Sequence, residues 1–165
     1  MKNILLIMLS YMVVNSIQAQ VAIGKNTVDG AGILDFASGT TNGIILPIVQ
    51  TISDSTVNGT LLMSKLDKKL KVKQNDTWMD LSDPGSIDNV VFSSSSDNGK
   101  GIIIGALSSS AEGILVLEST DKALILPKVQ DPHLNVKSPY PGMICYDTAS
   151  KTIALFDGLK WNYWK

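Results

Sequence analysis

The feature that most constrains this chain is that it repeats itself. Val21-Ala22-Ile23-Gly24 returns as Ile102-Ile103-Ile104-Gly105, and Gly32-Ile33-Leu34 as Gly113-Ile114-Leu115, both 81 positions later. Gly43-Ile44-Ile45-Leu46-Pro47 returns as Ala123-Leu124-Ile125-Leu126-Pro127 after 80 positions, and residues 59–78 return as residues 142–161 after 83. The spacing holds within each match and drifts only between matches. Duplicated folded units diverge in this way, because insertions are tolerated best in surface connections.

Inside each unit the pattern is strand, turn, strand. Residues 61–66 and 70–72 alternate apolar with polar around Asp67-Lys68-Lys69, and Met143–Asp147 and Thr152–Phe156 do so around Thr148-Ala149-Ser150-Lys151. Each pair reads as a β-hairpin. Asn75-Asp76 before Trp78, and Asp157-Gly158 before Trp161, then mark a second tight turn. Pro47 and Pro127 follow short apolar runs and are expected to end or edge those strands, since proline donates nothing to a ladder. Glutamate is confined to Glu112 and Glu118, whereas aspartate, serine, threonine, asparagine and glycine abound, which favours turns and strands over helices. The expected fold is all-β, with two tandem copies of a small hairpin-containing repeat. The organisation is a signal peptide over residues 1–19, unit 1 over 20–82, a linker with a short strand over 83–100, and unit 2 over 101–165. Val90-Val91-Phe92 is the expected linker strand, followed by a polar run at 93–100.

A unit of roughly sixty residues is marginal alone, because a domain that small buries only about 60% of its unfolded surface. The runs Ile44-Ile45-Leu46, Ile102-Ile103-Ile104, Ile114-Leu115-Val116-Leu117 and Leu124-Ile125-Leu126 do not alternate, so they read as buried on both faces. One chain would struggle to cover them. An intertwined homo-oligomer is therefore expected.

The N-terminus places Lys2 before a run, residues 4–17, that is almost wholly apolar and closes on Ile17-Gln18-Ala19-Gln20. That order is the order of a secretory signal peptide, cut after Ala19. The run is shorter than the ~20 residues that span a bilayer, so no membrane span is expected after its removal. The location expected is the cell surface, periplasm or extracellular space. Removing Lys2 leaves thirteen lysines against fifteen acids, a formal charge of −2, and there is no arginine. Without the planar guanidinium fork the main instrument of phosphate and base-edge recognition is missing, and no nucleic-acid partner is expected. The single cysteine, Cys145, makes no internal bridge and reads as a small buried residue in Met143-Ile144-Cys145-Tyr146.

Few residues carry recognisable chemistry. His133, the one histidine, sits in the turn-like Asp131-Pro132-His133-Leu134 and reads as a surface loop residue. No Gly-x-Ser-x-Gly elbow is present. Gly99-Lys100-Gly101 lacks phosphate-loop spacing, and Asp97-Asn98-Gly99 lacks the further oxygen ligands of a calcium loop. No catalytic, cofactor or metal residues are assigned, and no enzyme is expected. The aromatics near the C-terminus are more informative. Trp161 repeats Trp78 and reads as a packing element. Tyr163 and Trp164 stand where the first unit has Asp80 and Leu81. With Phe156 they form the candidate ligand or partner contacts, flat rings on which a glycan or a surface protein would pack.

Val21-Ala22-Ile23-Gly24-Lys25-Asn26-Thr27 with Ile33-Leu34-Asp35, then Gly43-Ile44-Ile45-Leu46-Pro47, then Gly142-Met143-Ile144-Cys145-Tyr146-Asp147-Thr148 through Phe156-Asp157-Gly158 to Trp161, follow a recognisable order. This order resembles a repeat of secreted Bacteroidetes surface proteins and of phage tail-fibre-like proteins. The resemblance covers most of both units. It implies an extended, β-rich, trimeric fibre or adhesin segment at the cell surface, without activity of its own. A carbohydrate-binding or adhesive module using the C-terminal aromatics is the alternative.

Overall fold

The computed structural model describes residues 20–92, 99 and 101–165. The expected signal peptide and most of the polar run at 93–100 lie outside the described residues. The first unit contributes β1 (Val21–Ile23), β2 (Gly32–Phe36), β3 (Ile44–Ile45), β4 (Ile48–Val49), β5 (Leu61–Ser64), β6 (Leu70–Gln74) and β7 (Thr77–Asp80). The second contributes β8 (Ile102–Ile104), β9 (Leu115–Leu117), β10 (Ala123–Leu124), β11 (Lys128–Val129), one helical turn α1 (Pro132–Asn135), β12 (Met143–Asp147), β13 (Thr152–Phe156) and β14 (Trp161–Trp164). Among the described residues the fold is all-β apart from α1. His133 lies on that turn rather than in a plain loop, with Pro132 at its first position, where a missing N–H costs nothing.

The same ladder occurs twice. β1 runs parallel to β2 with Val21 opposite Leu34, and β8 runs parallel to β9 with Ile102 opposite Leu115. β4 lies parallel on β5, which continues antiparallel through β6 to β7; β11, β12, β13 and β14 repeat that order. Backbone conformation repeats as well. Lys68 and Lys151, 83 positions apart, close their hairpins with φ of 57° and 58°. Asn75 and Asp76, at 49° and 58°, make the two-residue turn from β6 to β7, whose positive φ values match the right-handed twist of the strands.

The units are not separate bodies. β10 extends the first unit's sheet by lying parallel on β2, and β3 crosses to lie antiparallel on β12. One core results: Leu46, Met63 and Leu70 of the first unit pack with Ile144 and Leu155 of the second and with Ile87 between them. Burying a side chain of this size contributes about 1.5–3 kcal/mol. A smaller cluster holds Val129, Cys145 and Ala154, with Trp161 and Val136 packed against it.

Two expectations need correction. Val90-Val91-Phe92 is irregular, not a strand. The Val90 amide closes a turn onto the Ile87 carbonyl at 3.0 Å, which takes it out of an extended ladder, and the Phe92 ring lies 4.0 Å from Lys65 Nζ. The apolar runs are also not buried on both faces: Ile102 is 63% exposed, Ile114 59%, Ile45 47% and Leu115 44%. β8 and β9 form a two-stranded sheet to which no further strand pairs among the described residues. Among the described residues no helix is long and apolar enough to cross a membrane.

Candidate functional site

The hairpin sheets of the two units meet end to end. The Trp164 indole N–H donates to the Leu81 carbonyl at 2.6 Å. These two residues are repeat counterparts, so equivalent ends of the two units touch. Lys160 Nζ lies 2.9 Å from Asp83, and the Ser86 amide donates to the Asp157 carbonyl at 2.9 Å. Gly85 and Gly158 permit this approach. A Cβ on Gly85 would fall 1.9 Å from the Asp157 carbonyl oxygen, and one on Gly158 would fall 1.8 Å from that of Ser86.

At this seam opens a cleft of about 410 Å³. Lys69, Asp80, Leu81, Ser82 and Asp83 form one wall, and Asn162, Tyr163 and Trp164 the other. Its charges are largely paired internally. Asp80 accepts from Lys69 at 2.6 Å and from Lys71 at 2.5 Å, and these bonds hold its carboxyl below the usual carboxylate range. Lys160 does the same for Asp83. Tyr163 presents its hydroxyl 3.1 Å from His133 Nδ1, with the two rings edge to face. Burial, with the negative charge of Asp147 behind it, raises its phenol.

The cleft therefore gathers two of the three candidate aromatics. Tyr163 and Trp164, 41% and 42% exposed, line it together. Phe156 does not. The register sets Phe156 opposite Trp161 and Ile153 opposite Trp164, so Phe156 lies at the far end of the β13–β14 pair. There its ring packs 5.4 Å from that of Trp161. The polar lining, Lys69, Asp80, Ser82, Asp83 and Asn162, was not singled out from sequence. The repeat did carry a signal for it, because the equivalence of Leu81 and Trp164 marks the two ends that meet.

The buried acids organise turns. Asp147 accepts from the amides of Asp131 and Ala149 at 3.0 Å, the amide of Ser150 at 3.3 Å and the Ser150 hydroxyl at 2.6 Å. Asp157 accepts from the amides of Leu159 and Lys160, both at 2.8 Å, and from the Asn162 side chain at 2.8 Å. Asp35 accepts from Lys25 at 2.7 Å and from the amides of Asp29 and Phe36 at 2.8 Å. Burial pushes the Cys145 thiol up to about 12, and the Asp147 charge adds to it, so the thiolate that reactivity requires does not form near neutral pH. Among the described residues no group of three or more histidine, cysteine, aspartate or glutamate side chains is arranged to hold a metal ion.

A second feature is a set of strand edges. On one edge β12 takes two strands end to end, β11 at Tyr146 and Asp147 and β3 at Met143 and Ile144. Its counterpart β5 takes β4 at Met63 and Ser64, and no strand among the described residues lies on that edge at Thr60 and Leu61. β9 is paired on one side only, by β8.

The chain matches no curated protein and no solved structure. Its second unit, residues 101–165, matches the family model described as a phage tail like trimerisation region.

Proposed function

We propose that the chain is a non-catalytic, exported structural protein that assembles with copies of itself, as a trimer, into a fibre- or adhesin-like element of the cell surface. The observation that carries this reading is the match of the whole second unit to a trimerisation region. The open edges of β5 and β9 and the exposed Ile102, Ile114 and Ile45 support it, because apolar strand edges of this kind are ordinarily covered. The full chain, produced in a bacterial host that exports proteins, is expected to be recovered outside the cytoplasm, shortened by its leader and multimeric. Recovery as an unprocessed cytoplasmic protein, or as a folded monomer, contradicts the proposal.

The cleft favours a second reading, a carbohydrate-binding or adhesive module, since Tyr163 and Trp164 flank polar side chains there. Tyr163→Ala removes a ring without breaking the Trp164–Leu81 bond. Loss of glycan binding in this variant, with mass unchanged, supports the module; glycan binding that survives it removes the cleft from consideration.

A further inference from the structure

The two units use their equivalent short strands differently. In the first, β3 lies antiparallel on β12, with Ile44 opposite Ile144 and Ile45 opposite Met143, and the Leu46 amide donates to the Gly142 carbonyl at 2.9 Å. In the second, β10 lies parallel on β2, where the amides of Ala123 and Ile125 donate to the carbonyls of Ala31 and Leu34. Backbone groups alternate sides along a strand. β3 therefore pairs through the edge of Ile44 and Leu46, and β10 through the edge of Ala123 and Ile125. Eighty positions on, Ile44 and Leu46 become Leu124 and Leu126. The edge of β10 on which no strand lies among the described residues is thus the edge that β3 places on β12.

The acceptor side is as specific. Tyr146 donates to the Pro127 carbonyl at 2.9 Å, but the next rung of that parallel ladder needs an N–H that proline lacks. β3 takes over from there, at Ile144. In the first unit Met63 donates to the Pro47 carbonyl at 2.9 Å, and the rung toward Leu61 fails for the same reason. On its inner side β5 is already bonded, with the Lys73 amide donating to the Thr60 carbonyl at 2.9 Å, so the Leu61 backbone faces outward. Thr60 and Leu61 offer what Met143 and Ile144 offer, with no strand among the described residues upon them.

We propose that a second copy of this chain closes that edge by strand addition. Residues 124–126 of one copy lie antiparallel on residues 59–61 of the next, with Leu124 opposite Leu61 and Ile125 opposite Thr60. This is the register that β3 and β12 already display within the chain. In return, the unused edge of β3 meets β9 in the register of β10 on β2, which covers Ile45, Ile114 and Leu115. Donor and acceptor edges come from different parts of the chain, so the contact is heterologous, and in the trimer proposed above three such contacts close a ring. The inference rests on the self-assembly proposed above and gives it a register.

Disulfide trapping tests it. The mature chain, residues 20–165, carries Cys145→Ala to remove the native thiol, together with Thr60→Cys and Ile125→Cys. A non-hydrogen-bonded antiparallel pair sets its Cα atoms about 4.5 Å apart, within disulfide reach. Gentle oxidation is expected to give covalent multimers on a non-reducing gel that collapse on reduction. Either cysteine alone, or Asn58→Cys in place of Thr60→Cys, gives none. A multimer by mass that yields no such species overturns the register and leaves assembly standing; a folded monomer overturns both. In a second variant, Leu124→Pro removes an N–H that faces outward in the single chain. It is expected to leave the circular dichroism spectrum unchanged while raising the dissociation constant about tenfold or more, the size of one lost backbone bond. Unchanged association contradicts the proposal.

Discussion

Asp147 is almost wholly buried, and four donors converge on it from Asp131, Ala149 and Ser150. Burial alone would raise its carboxyl. The donors outweigh burial and hold the group below the usual range. In the unfolded chain an aspartate titrates near ~3.9, so on acidification the unfolded state takes up the proton first. The stabilisation is complete above that value and is lost as pH falls through the lower, folded one. Denaturant midpoints are expected to hold steady from neutral pH to about pH 5 and to fall below about pH 4. Asp147→Asn, which turns an N–H toward those donors, is expected to lower stability by about 2 kcal/mol at neutral pH and to flatten the acid limb. The burial of Cys145 was legible in the alternation of Met143-Ile144-Cys145-Tyr146. The role of Asp147 was not, because the Asp131 amide reaches it only once β11 lies on β12.

Hairpins were the most readable elements, since their turns are coded locally. β12 and β13 span the residues that alternation marks, and Asn75-Asp76 and Asp157-Gly158 turn where expected. Elements whose partners are distant in the chain were not readable. Nothing local distinguishes β3 from β10, yet one pairs antiparallel with β12 and the other parallel with β2. The candidate cleft divides the same way. Tyr163 and Trp164 stood out as aromatics, whereas Asp80 and Ser82 matter only because the ends of β7 and β14 meet. Gly158 is where that meeting is tightest. Its φ of 96° and its distance to Ser86 both reject a side chain, so Gly158→Ala is expected to cost about 2–3 kcal/mol in a thermal denaturation series. Gly30→Ala, at φ 55° with nothing within 4 Å, is expected to cost only about 1 kcal/mol.

At the scale of the whole molecule, duplication gives two copies of one ladder, and exchange of β3 and β10 between them welds a shared core around Met63, Leu70, Ile144 and Leu155. Apolar runs without alternation read as doubly buried and so as pointing to assembly. In the structure the runs stay half open, and among the described residues β5 and β9 each lack the neighbour that their repeat counterparts have. In the proposed assembly a second copy supplies it. Sedimentation equilibrium of residues 20–165 at micromolar concentration tests this directly. The account predicts a folded species of three times the chain mass, with a melting temperature that rises with concentration; a folded monomer whose melting temperature ignores concentration would contradict it.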